Sequence, residues 1–141
     1  MIDKFWWITT DAVEKESGLV AFAVSKRYEK NYGKLKHVSW KWYRKQIDRK
    51  DIGLREKMVL WCLLERYSMR SFSSHDSGGY IALMLGSHRN TINKAIQKLM
   101  DAKIIWCAIE GERVMLTKLE RGKQHKHFLP VGLSVMLSEE S

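Results

Sequence analysis

Apolar and polar positions alternate with a clear helical period after about residue 53 and with less order before it. The sharpest segment is IALMLGSHRNTINKAIQKLMDAKII, which starts at Ile81. Ile81, Ala82 and Leu85 form a short apolar stripe that stops at Gly86, a residue free to take the positive φ that ends a helix abruptly. A tight turn is implied, with Ser87 or His88 placed to cap a further helix running from about Ser87 to Lys103. In that helix Ile92, Ala95, Ile96, Leu99 and Met100 recur at helical spacing and face inward, which leaves Arg89, Asn90, Asn93, Lys94, Gln97 and Lys98 outward. Upstream, Arg55 to Met69 predicts a helix whose Met58 to Leu64 section is apolar nearly all round and therefore central and buried. Downstream, Ile104 to Ile109 and Arg113 to Thr117 are β-prone runs joined by Glu110, Gly111 and Glu112, the pattern of a hairpin.

The first half is harder to place. Asp11 followed by Glu14 predicts a capping box for a short helix ended by Gly18. Leu19 to Tyr32 sets Val20, Val24 and Tyr28 on one helical stripe closed by Gly33, although the run from Leu19 to Val24 fits a buried strand equally well. From Ser39 a helix is expected with Trp40, Tyr43 and Ile47 on its inner face and Lys41, Arg44, Lys45 and Arg49 on its outer one. Trp42 departs from that stripe and is the ring expected at the surface. Trp6 and Trp7 read as anchors that tie the start of the chain to the body or to a second subunit. The one evident loop cluster spans Ser71, Ser73, Ser74, Asp76, Ser77, Gly78 and Gly79, too short to link domains.

Composition narrows the class. At 141 residues, with 45 % apolar residues, 29 % charged and one proline, the chain suits one compact, folded unit rich in helix. Its longest purely apolar stretches, Leu19 to Val24 and Met58 to Leu64, fall far short of the ~20 residues of a membrane span. The opening mixes Asp3 and Lys4 with Phe5, Trp6 and Trp7, unlike a secretory signal, so a cytoplasmic protein is expected. Cys62 and Cys107 lie in apolar runs with no CxxC spacing and read as buried thiols rather than a disulfide or zinc ligands. The net charge of +9 is concentrated: between Lys26 and Lys50 ten basic residues face two acids, Glu29 and Asp48. A clustered positive field draws polyanions, with counterion release from a phosphate backbone as the driving gain.

The face predicted for Arg89 to Lys98 sharpens that preference towards duplex DNA. Arginine or lysine can donate to guanine O6 and N7, and asparagine or glutamine can pair with adenine, while no carboxylate appears on the face before Asp101. Helix, helix, tight turn, recognition helix and hairpin, in that order from Leu54 to Leu116, make a winged helix-turn-helix. The expected fold is therefore mainly α with a small β-hairpin. A basic, mainly helical N-terminal extension (residues 1–53) precedes a winged helix-turn-helix (54–120), and a basic then apolar tail follows (121–141).

The segments GLREKMVLWCLL, SFSS and IALMLGSHRNTINKAIQKLMDAKII resemble the winged helix-turn-helix domains of phage and plasmid replication proteins and of transcription regulators, over about a third of the chain. Ala82, Leu85, Gly86, Arg89, Thr91, Ile92, Ala95, Leu99 and Ile105 occupy the positions of that pattern; His88 stands where a serine cap is usual, and Lys103 where a glycine is. The resemblance implies base contacts by Arg89, Asn90, Asn93 and Lys94, and phosphate contacts by Ser87, His88, Thr91 and Lys98. Arg113 and Lys118 are the useful cations of the wing, whose tip carries Glu110 and Glu112, and Lys41, Arg44 and Lys45 would lie along flanking phosphates. The implied activity is sequence-specific binding of double-stranded DNA at an origin or operator by a replication-initiation protein or its DNA-binding domain. A transcription regulator with the same binding mode, or a winged module for a protein or RNA partner, is the alternative. A homodimer is expected, with the first half and the apolar stretch from Phe128 to Leu137 as candidate interfaces.

No enzyme, cofactor or metal is expected. Gly78 and Gly79 are followed by Tyr80, with no Lys-Ser or Lys-Thr to complete a phosphate loop. His75, His125 and His127 lack the spacing of a closed ligand set. Asp48 with Asp51, and Glu110 with Glu112, are the only pairs a metal-dependent nuclease could use, and both read as surface or turn residues.

Overall fold

The computed structural model describes residues 6–7, 32–68, 71, 73–75, 78–112, 114–120 and 125–139. The predicted helix between residues 11 and 18 and the stretch 19–31 lie outside them. The described residues form five α-helices and a three-stranded antiparallel sheet, so the chain is mainly helical with a small sheet. No helix among them is long and apolar enough to cross a membrane.

Helix α1 (Tyr32–Ile47) already includes the seven residues before the predicted Ser39, so Gly33 lies within a helix. The earlier start rotates the buried face. Leu35, Val38 and Trp42 form the inward stripe, with Ser39 and Tyr43 beside them, and the Trp42 indole donates to Val131 O at 2.9 Å. Trp42 is therefore core, and Trp40 and Ile47 are the exposed residues, the reverse of the expected assignment. Helix α2 (Leu54–Glu65) begins at Gly53, whose N–H donates to the Glu56 carboxylate at 2.7 Å, and it ends four residues before the predicted Met69. It buries Val59, Leu60, Cys62, Leu63 and Leu64 but leaves Leu54, Met58 and Trp61 open, so it is amphipathic rather than buried all round.

The serine cluster after α2 is folded into the body. Ser71, Ser73 and Ser74 are buried, and the Ser74 hydroxyl donates to Leu63 O while its backbone exchanges hydrogen bonds with Phe128. Helix α3 (Gly78–Leu85) ends on Gly86 at φ 64°, with Ser87 N–H donating to Ala82 O at 2.9 Å and Gly86 N–H donating to Leu83 O. Helix α4 (Arg89–Asp101) buries the predicted stripe of Ile92, Ala95, Ile96, Leu99 and Met100. It closes in the same manner, Ile104 N–H reaching Leu99 O and Lys103 N–H reaching Met100 O, both at 3.0 Å. That six-to-one and five-to-two pairing requires a left-handed residue just past the helix, and here a lysine supplies it, Lys103 at φ 61°.

Strand β1 (Ile105–Ile109) is the centre of the sheet. It pairs on one side with β2 (Met115–Leu116), Cys107 opposite Leu116, which gives the predicted hairpin with a shorter second arm. On the other side it pairs along its whole length with β3 (Lys126–Pro130), from Ile105 opposite Pro130 to Ile109 opposite Lys126. The expected tail thus supplies a strand and then helix α5 (Leu133–Glu139), which packs on α1. Phe128, Leu129, Leu133 and Leu137 are buried within this chain's own cores, so that stretch is not an open apolar face.

Strand alternation gives the sheet two occupied faces. Ile105, Cys107 and Phe128 join the helical core, whereas Ala108 and Leu129 meet Trp6 and Trp7 on the reverse. The two indoles are fixed by direction as well as burial: Trp6 donates to Ile109 O at 2.7 Å and Trp7 to Ser71 O at 2.6 Å. Both cysteines are buried and neither is in a disulfide, and burial pushes the Cys107 thiol up to about 12.

The two helix ends predict opposite effects for two exposed substitutions. A Cβ at Gly86 would meet nothing within 4 Å, so Gly86→Ala carries backbone strain alone and is expected to destabilise by about 1 kcal/mol. Lys103→Gly removes the same strain and is expected to stabilise by about 0.5–1 kcal/mol, both changes read from chemical denaturation.

Candidate nucleic-acid interface

Helix α4 owes its orientation to its buried side. Ile92, Ala95, Ile96 and Leu99 are all but inaccessible, packed against α3, α2 and β1, so the opposite face is fixed relative to the body. Arg89, Asn90, Lys94 and Lys98 stand on that face and are exposed, with Thr91 half-buried beside them. Ser87 and His88 precede the helix and are also exposed; His88 occupies the cap position and makes no side-chain cap bond. No acid occupies the first turn of the helix, where negative charge would offset the positive end of its dipole.

Two residues of the predicted outer face are engaged within the molecule. Asn93 is half-buried and lies over the start of α3, where a Cβ on Gly78 would stand 2.1 Å from Asn93 Oδ1. The absence of a side chain at Gly78 is what admits it there. Gln97 grips the segment after β2 with both ends of its amide. Its nitrogen donates to Thr117 O at 2.9 Å and to Asp101 at 2.9 Å, and its oxygen accepts from Leu119 N–H at 2.8 Å. Lys118, between those two anchor points, is exposed, so the clamp holds one more cation beside the third turn of α4. Arg113 lies outside the described residues.

The turn after β1 is less acidic than its sequence suggests. Glu110 points back into the fold, its Oε1 3.1 Å from His127 Nε2, which leaves Glu112 as the exposed acid beside Gly111. His127 continues the chain of contacts: Nδ1 is 2.9 Å from Ser73 Oγ, and Ser73 in turn donates to Ser71 Oγ at 2.9 Å. A hydroxyl, an imidazole and a carboxylate in line are the parts of a nucleophilic site, but Ser73 has no exposed surface on which a substrate could land. The arrangement works as a buried polar tie between the serine segment, β3 and the turn.

Asp51 is held by Arg49 in a two-point contact at 2.9 and 2.6 Å, which lowers the carboxyl's affinity for a proton; Arg49 also donates to Ala102 O at the exit of α4. Lys41, Arg44 and Lys45 are exposed on α1, a helix whose main neighbours are α2 and α5. Among the described residues no group of three or more potential ligands could hold a metal ion.

Sequence reasoning missed the Gln97 clamp, the inward turn of Glu110 and the burial of His127. A basic and histidine-rich stretch carries no periodic signal of burial, and each contact joins residues far apart in the chain. Compared with known proteins, the chain matches no family model, no curated protein and no solved structure.

Burial lowers the proton affinity of His127, as do the nearby His75 and His125, against the opposing pull of Glu110. The unfolded imidazole takes its proton near the ordinary value of about 6.5, the native one only in stronger acid. Unfolding therefore takes up a proton in that window, and stability is expected to hold above pH 7 and to fall as pH drops through about 6.5. Denaturation midpoints between pH 7.5 and 5 should show this decline, and His127→Gln should flatten it.

Proposed function

We propose that this protein binds double-stranded DNA in a sequence-specific manner, presenting α4 to the major groove as a winged helix-turn-helix does. The observation that carries the reading is the exposed face of Arg89, Asn90, Lys94 and Lys98, free of carboxylates until Asp101 in the last turn, on a helix whose other side is locked into the core. The succession of α2, α3, a glycine turn at Gly86, α4 and an antiparallel sheet supports it. Arg89 and Asn90, at the leading end, carry the donors and acceptors that read guanine and adenine edges. Ser87, His88, Thr91, Lys98 and Lys118 surround them with phosphate-binding groups, and Asn93 sits against the start of α3. Lys41 and Lys45 add a sequence-independent attraction to flanking backbone.

Origin or operator recognition by a replication-initiation protein is the role most in keeping with this reading; control of transcription uses the same contacts. Two copies on a two-fold site would set two α4 helices about one DNA turn apart.

Selection of bound duplexes from a random pool, followed by fluorescence anisotropy on the enriched sequence, tests the proposal. Arg89→Ala is expected to cost about 1–3 kcal/mol of specific affinity and to leave the weak, salt-sensitive binding in place. Lys118→Ala should weaken binding to all duplexes alike and reduce the salt slope by about 1. No enrichment of any sequence, or full specific affinity in an Arg89→Ala, Asn90→Ala double variant, would overturn the reading.

A further inference from the structure

Helices α1 and α2 pack against each other as an antiparallel pair. The register is set by three contacts that step in opposite directions along the two helices. Lys36 meets Glu65 at 3.3 Å, the Trp40 and Trp61 rings lie 5.4 Å apart, and the Tyr43 hydroxyl donates to Lys57 O at 2.6 Å. The next step of that register brings Ile47 opposite Leu54. Along this seam the pair leaves an apolar stripe in solvent: Trp40 at 41 % exposure, Ile47 at 37 %, Leu54 at 76 %, Met58 at 46 % and Trp61 at 37 %. Leu54, Met58 and Trp61 recur at i, i+4 and i+7, and Trp40 and Ile47 at i and i+7, so each helix contributes one straight row. A recess of about 290 Å³ opens at the Trp40 and Trp61 end, between Leu35, Leu64 and Tyr67.

An exposed stripe of this kind, with two tryptophans in it, is costly to leave in water and characteristic of an interaction surface. Two rows side by side with a recess at one end have the shape that receives the i, i+3, i+4, i+7 anchors of an amphipathic helix. The borders decide which helix. Lys36 and Arg44 stand one turn either side of Trp40, and Lys57 lies one turn before Trp61. Of the acids nearby, Glu65 is paired with Lys36 and Asp51 with Arg49, and Asp48 stands beyond Ile47 at the far end, so Arg44 and Lys57 set the charge along the middle of the seam. A second copy of this chain would bring the same cations against themselves. Single-stranded nucleic acid would meet the charge but not the surface: Trp40 and Trp61 stand edge to face at 87°, and Tyr43 packs on both, so the rings offer no flat platforms for successive bases.

We infer that the α1–α2 seam is a docking groove for an amphipathic helix of another protein, one whose apolar anchors are flanked by aspartate or glutamate. An apolar side chain of that helix fills the recess at Trp40 and Trp61, and its carboxylates lie against Arg44 and Lys57. The groove is separate from the α4 face, and the inference stands whether or not α4 binds DNA.

Two labelled 18-residue peptides test it, identical in leucine anchors at helical spacing and differing only in flanking glutamates or lysines. Fluorescence anisotropy with the full chain is expected to show saturable binding of the glutamate peptide, at least tenfold tighter than the lysine peptide and weakened by salt. Leu54→Glu, at a position too exposed to disturb folding, should lower that affinity at least tenfold, whereas Val114→Glu, on an exposed residue elsewhere, should leave it unchanged. An Arg44→Glu, Lys57→Glu double variant should reverse the preference between the peptides. Equal binding of both peptides, binding of neither, or no effect of Leu54→Glu would overturn the inference. Displacement of the glutamate peptide by oligothymidylate would do so in favour of single-stranded nucleic acid. Sedimentation of the chain alone as a dimer that Leu54→Glu dissociates would do so in favour of a second copy.

Discussion

Burial of one side of α4 is the constraint on which the rest of this structure depends. Ile92, Ala95, Ile96 and Leu99 fill the space between α2, α3 and the first strand, and each is almost wholly removed from water. At roughly 1.5–3 kcal/mol for each large side chain, that burial far outweighs the exposure of a polar helix face. It also fixes rotation: turning α4 by even a quarter would bring Lys94 or Lys98 into an apolar core, where an unpaired ammonium is not tolerated. The basic face therefore owes its position to the apolar one.

The sheet is stabilised from both sides, and the two sides differ in kind. Towards the helices, β1 and β3 contribute Ile105, Cys107 and Phe128 to a continuous hydrocarbon core. Towards the other side, Trp6 and Trp7 cover Ala108 and Leu129 and use their indole N–H groups on backbone carbonyls, so specific direction is added to burial. The His127 ring lies 4.6 Å from that of Trp7 and ties the serine segment to the turn that follows β1. Segments distant in sequence are in this way joined by a few directed contacts rather than by area alone.

Elements whose cause is local could be read from the residues. Gly86 ends α3 because the backbone there needs a positive φ, and the α4 stripe has a period that nothing interrupts. The phase of α1 could not be read from Ser39 onward, because Leu35 and Val38 set it a turn earlier and bring Trp42, not Trp40, against Val131. Strand β3 begins with Lys126 and His127, whose polarity conceals a place inside the sheet; only pairing with β1 makes the segment extended. At the site, the exposure of Arg89, Asn90, Lys94 and Lys98 followed from spacing. The seat of Asn93 against α3 did not, since it depends on Gly78 of the neighbouring helix.

The grip of Gln97 on Thr117 and Leu119 has a mechanical meaning. A primary amide satisfies one carbonyl and one N–H of a passing chain at the same time, as a neighbouring strand would, so the segment after β2 is geared to the helix instead of resting on it. Any tilt that α4 makes against a partner is transmitted to Lys118, and the two present themselves as a single rigid edge with little entropy left to lose on contact.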